Sequence, residues 1–265
     1  MANAKLGTGT TKEGLGERMK RYEAVTDQVL PCNQPALIRV DGHGFSKFTN
    51  GFEKPFDVRI HDAMVQMATD LLAYFPDASL AYTQSDELTL VFPSGCSAFN
   101  GRVGKLASLA AGYASVRFNH HLVGAPAEKQ GIAHFDGRAF AVPNVEEVLN
   151  NLIWRAKIDC RRNSISAFGR SFYSTKELHG LTSDAIVQKV LEEKNVDFWT
   201  STPQWARNGT TVKREQYEGT GIDGKTGEEV RTTRTRMRAE DIPWWEFNQH
   251  NLALVTGKLW QNVSM

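Results

Sequence analysis

The stretch SLAYTQSDELTLVF, from Ser79 to Phe92, decides the architecture. Aromatic and β-branched residues fill both arms and a polar centre at Ser85 and Asp86 interrupts them, so the spacing predicts two strands meeting at a tight turn. Outward from it, ALIRVD at Ala36 to Asp41 reads as another strand, with Leu37, Arg39 and Asp41 on one face and Ala36, Ile38 and Val40 on the other. Gly42 and Gly44 loosen its exit. Pro55 and Asp57 then signal a helix from about Val58, with Met64, Ala68, Leu71 and Phe75 as its apolar stripe.

On the other side of the hairpin, Ala98 to about Phe118 has helical spacing, and Ala107, Ala110, Ala111 and Gly112 permit close approach to another element. AHFDGRAFAV supplies a further strand from about Ala133 to Val142. The order strand, helix, strand, strand, helix, strand matches a split βαβ unit, an α+β fold with an antiparallel sheet and both crossover helices on one side. Beyond it, Asn144 and Glu147 form a possible capping box for a helix running through VLNNLIWRAKID. Ser183 to Glu193 is a second helix, and YEGTGIDGKTGEEVRTTRTRMR a hairpin or projecting loop. The expected division is a catalytic core with its N-terminal extension in residues 1–142, and a C-terminal extension in 143–265 that packs on the core and contacts RNA.

With 41% hydrophobic and 23% charged residues in a chain of 265, the composition is that of an ordinary folded protein, and no apolar run reaches membrane-spanning length. The beginning, MANAKLGTGTTKEGLGERMKRYE, contains no signal-peptide apolar stretch. Cys32, Cys96 and Cys160 form no close pair, which predicts free thiols in a reducing, cytoplasmic setting. A net charge of +1 selects no partner, so any nucleic-acid surface must come from local arrangement.

Asp41 ends the first strand, and Asp86 and Glu87 occupy the hairpin turn. If the hairpin neighbours the first strand, its tip brings Asp86 opposite Asp41. Carboxylate oxygens and the Gly42 carbonyl suit Mg2+, and two ions held there would activate an attacking hydroxyl and stabilise phosphoryl oxygens. In isolation such acidic turn residues are more often solvated or capping groups, and Glu87 is the least secure of the three. Arg39 shares Asp41's face and would bind phosphate through its guanidinium fork. Arg102 and Lys105, three apart on the second helix, would meet another part of a triphosphate, against the alternative of a solvated basic face.

These segments also carry a resemblance. MKRYE, ALIRVDGHGF, GFEKPFD, AYTQSDELTLVF, FDGRAF, WRAKIDCRRN, EEKN and TPQWARNG, spread over roughly positions 19 to 214, resemble tRNA-histidine guanylyltransferase and its repair-polymerase relatives. The resemblance implies a polymerase-palm core and 3'-to-5' addition, in which the 3'-hydroxyl of an incoming nucleotide attacks an activated phosphate at an RNA 5' end. It implies Asp41, Gly42 and Asp86 at the metals with Glu87 in support. His43, Gly44, Phe45, Lys54, Asp57 and Ser85 become nucleotide-pocket candidates, although Phe45 competes as a core residue and Asp57 as a helix cap. It further implies ATP or GTP for 5'-end activation, NTP substrates, tRNA or a tRNA-like partner, and a homo-oligomer, dimer or tetramer.

One departure narrows the expectation. Members specialised for the extra guanylate of histidine tRNA often have HINN after DC, whereas here Asp159 and Cys160 precede Arg161, Arg162, Asn163 and Ser164. That favours template-guided repair relatives and makes Arg161, Arg162 and Asn163 RNA candidates, with a solvated helix end as the competing reading. Lys194, Arg207 and the Thr/Arg run bearing Arg231, Arg234, Arg236 and Arg238 extend the RNA set. Untemplated guanylate addition, a nucleotide cyclase and a noncatalytic RNA-binding protein are the alternative functions.

Overall fold

Alternation of apolar residues in the predicted strands is resolved into two buried sheet faces. The structure is a computed structural model that describes residues 13–222, 224–242 and 245–260. The N-terminal reading falls partly on residues 1–12, and the hairpin's Asp223 also lies outside the described residues.

In chain order the elements are α1 (Leu15–Ala24), β1 (Ala36–Gly42), α2 (Phe45–Phe48), α3 (Val58–Tyr74), β2 (Leu80–Gln84), β3 (Glu87–Phe92), α4 (Val103–His121) and β4 (Phe135–Ala141). They continue with α5 (Val145–Ile153), α6 (Arg161–Arg170), α7 (Thr175–Leu178), α8 (Ser183–Lys194), α9 (Phe198–Ser201) and α10 (Gln204–Asn208). The long hairpin β5 (Thr210–Ile222) and β6 (Glu229–Glu240) follows, and then α11 (Gln249–Thr256). Among the described residues the strands form one antiparallel sheet in the order β4-β1-β3-β2-β5-β6. Its first four strands are the split βαβ core, and the hairpin of the C-terminal half extends the same sheet through β5.

One face is covered by α3 and α4. Ile38, Val40, Leu88 and Leu90 bury there against Met64, Met67, Leu71, Leu106 and Phe118. On the other face Leu37, Leu80, Tyr82 and Val91 pack under Val148, Leu149 and Leu152 of α5 and Val255 of α11. Each such fully buried side chain contributes about 1.5–3 kcal/mol of transfer free energy. A third cluster, Ile165, Phe168, Ile186, Val190 and Phe198, holds α6 to α8.

Two expected helices differ in detail. A 3-10 turn at Ala98–Gly101, with Phe99 and Asn100 at positive φ, delays α4 to Val103. The helix begun at Asn144 does not end near Arg161: it passes through a π-helical stretch, Trp154–Cys160, and continues as α6 to Arg170. Arg161 and Arg162 therefore lie within a long helix, not at its frayed end. The Asn144 cap is present, its side chain accepting from the Glu147 N–H at 3.0 Å, while the Glu147 carboxylate takes the Asn150 amide instead of closing a box.

No helix among the described residues is long and apolar enough to cross a membrane. Cys32, Cys96 and Cys160 are free thiols.

Candidate active site

The acidic centre follows from the register of three strands. Asp41 lies opposite Glu87 of β3 and opposite Asp136 of β4. The Gly42 N–H donates to the Asp86 carbonyl at 2.9 Å, so the exit of β1 is tied directly to the hairpin turn. Ser85 adopts φ +51°, a left-handed conformation uncommon outside glycine, and its hydroxyl donates to Asp86 Oδ1 at 2.9 Å. Gly42 is required by space: a Cβ there would collide with the Phe45 ring.

Burial raises the pKa of Asp86, with further upward pressure from Asp41, while the Ser85 hydrogen bond opposes it. Burial likewise raises Asp41, opposed by Arg39 and reinforced by Asp136. Two partly buried carboxylates, each with a raised affinity for a proton, are groups that could ligate a cation, and hard oxygen donors suit Mg2+. Among the described residues no three His, Cys, Asp or Glu side chains gather tightly enough to hold an ion. The groups that could hold an ion at this strand exit are Asp41, Asp86 and the Gly42 carbonyl.

Arg39 stands beside them with 12% side-chain exposure, 3.8 Å from Asp41 and 3.6 Å from Glu87. These are loose ion pairs, and its buried Nε makes no hydrogen bond. An orphaned guanidinium N–H next to two acids is a donor poised for an anionic oxygen. Glu87 is buried, and that burial, partly offset by Arg39, pushes its pKa up to about 7. It turns to Arg155 of the π-helical stretch at 3.2 Å.

Other expected site residues are distributed unevenly. His43 stays at the exit of β1, its N–H donating to the His134 carbonyl, and its ring lies 5.0 Å from that of His134. Gly44, at φ +67°, caps α2. Phe45 is core: it is 4% exposed among Phe48, Phe118 and Phe135, and reaches the site only as the wall behind Gly42. Lys54 is exposed and donates to Thr49 at 3.2 Å. Asp57 caps α3, accepting from the Arg59 and Glu53 N–H groups and from the Arg59 guanidinium; that side-chain bond is the main cause of its lowered pKa.

Arg102 caps the start of α4 and Lys105 lies in its first turn. Ser115 of α4 accepts from the Phe135 N–H, Asn119 bonds Ala133, and Ala107 touches Gly137, so α4 runs antiparallel to β4. Ala107 is level with Gly137, the partner of Val40, so Lys105 and Arg102 lie only about 3 and 8 Å farther along the helix axis from that level. Arg102 pairs with Asp27 at 3.6 Å.

The RNA candidates spread over the C-terminal half. Arg161 lies 5.4 Å over the Trp199 ring, Arg162 pairs with Asp159 at 2.9 Å, and Asn163 is exposed. Lys194 covers Tyr173, and Arg207 of α10 has a buried Nε without a partner. On β6 the even positions Arg234, Arg236 and Arg238 share a face, with Arg231 on the other. Glu215 pairs with both Arg236 and Arg238, at 2.7 and 2.9 Å.

Sequence reasoning passed over Asp136, Arg138, Arg155 and Asp159. The first two had a signal, since FDGRAF repeats at period two the acid and arginine of IRVD, and the register places Asp136 beside Asp41 and Arg138 beside Arg39. Arg155 and Asp159 had only an i,i+4 spacing.

Comparison with known proteins adds a second line. The family model described as Thg1, tRNAHis guanylyltransferase, matches residues 16–143. An uncharacterized protein, R259, of Acanthamoeba polyphaga mimivirus is 35% identical over 77% of this chain and 78% of its own length. The tRNA(His) guanylyltransferase of Neurospora crassa is 33% identical over 76% of this chain and 73% of its own. Among solved structures, a bacterial tRNA(His) guanylyltransferase (Thg1)-like protein in complex with ATP superposes with a TM-score of 0.78 at 29% identity, covering 91% of this chain and 99% of that one. A bacterial Thg1-like protein in complex with GTP gives 0.67 at 28% identity, covering 86% of this chain and 92% of that one.

Proposed function

Because the chain belongs to the tRNA(His) guanylyltransferase family, nucleotidyltransferases that add nucleotides at tRNA 5' ends in the 3'-to-5' direction, we propose that it restores shortened tRNA 5' ends under guidance of the opposite RNA strand. The observation that carries the chemistry is the Gly42–Asp86 hydrogen bond, which fixes Asp41 and Asp86 at one strand exit beside the unsatisfied Arg39 Nε. The template-guided reading rests on DCRRNS, where Arg161 stands in place of the histidine found in the specialised DCHINN pattern. Base pairing to the opposing strand supplies discrimination without shaped hydrogen-bond partners on the protein.

Asp41, Asp86 and the Gly42 carbonyl would hold Mg2+, two ions in this reading, and bound divalent metal lowers the pKa of an attacking hydroxyl and offsets charge on phosphoryl oxygens. Arg39 binds a phosphate oxygen of the nucleotide or of the RNA 5' end. His43, Gly44 and Ser85 form the rim at which that phosphate enters, and Lys54, in the segment between α2 and α3, serves the ATP or GTP used in activation. The two solved relatives in complex with ATP and GTP support nucleotide use. Residues 1–142 carry the chemistry in this reading. Residues 143–265 supply RNA contacts through Arg161, Arg162, Asn163, Lys194, Arg207 and the β6 arginines, and the chain works as a cytoplasmic homo-oligomer.

The fungal relatives, which are tRNA(His) guanylyltransferases by name, favour a second reading, untemplated guanylate addition to histidine tRNA. The deciding experiment uses otherwise identical tRNAs lacking one 5' nucleotide, varies the opposing base, supplies all four NTPs in competition with Mg2+, and separates products at nucleotide resolution. Incorporation tracks the opposing base and persists across tRNA identities. Addition of G regardless of that base, with a requirement for the histidine anticodon, would give the second reading instead.

A further inference from the structure

A buried chain of alternating charges runs from the acidic centre into the π-helical stretch. Arg39 lies 3.6 Å from Glu87, the Arg155 Nε forms an ion pair with Glu87 at 3.2 Å without hydrogen-bond geometry, and Arg155 donates to Asp159 at 2.6 Å. Glu87, Arg155 and Asp159 are each less than 9% exposed. Burying four charges is a poor way to gain stability, because desolvation offsets most of their attraction and apolar replacements of similar volume are often neutral or stabilising. The backbone is unusual at the same place: π-helical turns are rare and concentrate at functional sites. Here the turn sets Arg155 and Asp159 together against the sheet, and the Arg155 guanidinium also lies 4.1 Å from the Trp154 ring, which limits its rotation.

Glu87 is one residue from Asp86 and directly opposite Asp41 in the ladder. A group that fixes the Glu87 carboxylate therefore fixes the strand end from which both metal-binding aspartates are presented. We propose that Arg155 is a positioning residue for nucleotide transfer: held by Asp159 within the π-helical turn, it anchors Glu87 and so sets the geometry of the Asp41–Asp86 strand end. The inference rests on the nucleotidyltransferase reading above for its rate readout. Its role is exerted through Glu87 alone, with no contact to a reacting atom.

The test compares Arg155→Met, Arg155→Lys, Asp159→Asn, Glu87→Gln and the Glu87→Gln/Arg155→Met double variant. It measures single-turnover nucleotide addition to an RNA 5' end, KM for the incoming NTP, melting temperature, and hydrogen exchange of the peptide spanning Thr83 to Leu88. Arg155→Met lowers the single-turnover rate roughly 30-fold, about 2 kcal/mol, with KM changed less than about threefold. Arg155→Lys keeps the charge without the planar fork and falls between. The double variant loses no more than the worse single one, since both changes break one link. Exchange in the turn accelerates in Arg155→Met and in Asp159→Asn.

A folded Arg155→Met protein with the wild-type rate and wild-type exchange would overturn the proposal, as would losses that multiply in the double variant. If Arg155→Met does not fold, Asp159→Asn decides against Arg162→Ala as its control: the first removes both Asp159 pairs and the second only the Arg162 one, so a rate loss and faster exchange in Asp159→Asn beyond those of Arg162→Ala support the anchoring, and equal effects in the two overturn it. If the wild-type protein transfers nothing to any RNA 5' end, the functional reading fails, and the exchange of the turn still tests the anchoring by itself.

Discussion

Glu87 faces Asp41 across the β1–β3 ladder, so the two carboxylates project from the same sheet face on neighbouring strands. Asp86, one residue earlier, is joined to that position through the Gly42 N–H. The acids thus form a unit whose members differ in duty: Asp41 and Asp86 at the exit, and Glu87 turned back toward Arg155. Asp41→Asn and Asp86→Asn should each lower nucleotide addition at least 100-fold, about 2.7 kcal/mol, while circular dichroism stays unchanged. Near-normal turnover in either folded variant would remove the two-aspartate site.

Arg39 has no competing strong partner, its ion pairs being 3.6 Å or longer. A guanidinium–phosphate hydrogen bond is worth about 1.5–3 kcal/mol. Arg39→Met should therefore raise the half-saturating concentration of ATP, GTP, CTP and UTP alike by about 10- to 100-fold. An effect confined to one base would place Arg39 near the base instead of the phosphates.

Arginines on one face of β6 predict a salt-dependent RNA contact. Arg234→Ala with Arg236→Ala should weaken RNA binding more than free-nucleotide binding, and should reduce the slope of log affinity against log salt by about one for each phosphate that is no longer neutralised. Glu215 neutralises Arg236 and Arg238 in the free protein, so Glu215→Gln should tighten RNA binding at low salt. RNA affinities that are equal at low and moderate salt would exclude this surface.

Lys213 is fully buried on β5, its ammonium donating to the Leu254 and Gly257 carbonyls at the end of α11. Burial, reinforced by Arg214, lowers its pKa from 10.5 to about 7. Between these values the unfolded chain holds a proton that the folded one lacks, so this group makes stability rise with pH across that window. The melting temperature should climb from pH 7 to pH 9, and Lys213→Met should flatten the climb. An unchanged slope in that variant would assign the pH dependence to other groups.

Much of the core was legible because it depends on short-range periodicity. Alternation in ALIRVD placed Arg39 and Asp41 on one face, and the break at Ser85 and Asp86 located the turn that joins β2 to β3. What was not legible depends on how elements lie against one another. The three-residue spacing of Arg102 and Lys105 shows that they share a helix face, but not that α4 meets β4 with Ala107 level with Gly137 and Val40. Asp136 becomes an active-site neighbour only through the β1–β4 register. Asp57 and Phe45 matched the motif, yet one is consumed by capping α3 and the other by an aromatic core. The π-helical turn was not legible, because Trp154, Ala156, Ile158 and Cys160 fall two apart where Val145, Val148, Leu149 and Leu152 keep helical spacing, and neither rhythm singles out a π-helix.

That turn also sets the angular phase of everything downstream. Each residue advances an α-helix by roughly 100°, so deleting one residue between Trp154 and Cys160 would swing α6 about its axis by nearly a third of a revolution. Ser164, Ile165 and Phe168, now buried against their neighbours, would rotate toward solvent, and Arg161 would leave Trp199. Length changes in this helix are therefore restricted to those that conserve its phase, and a one-residue difference here between two relatives would present different side chains on the exposed face of α6 even where the aligned letters agree.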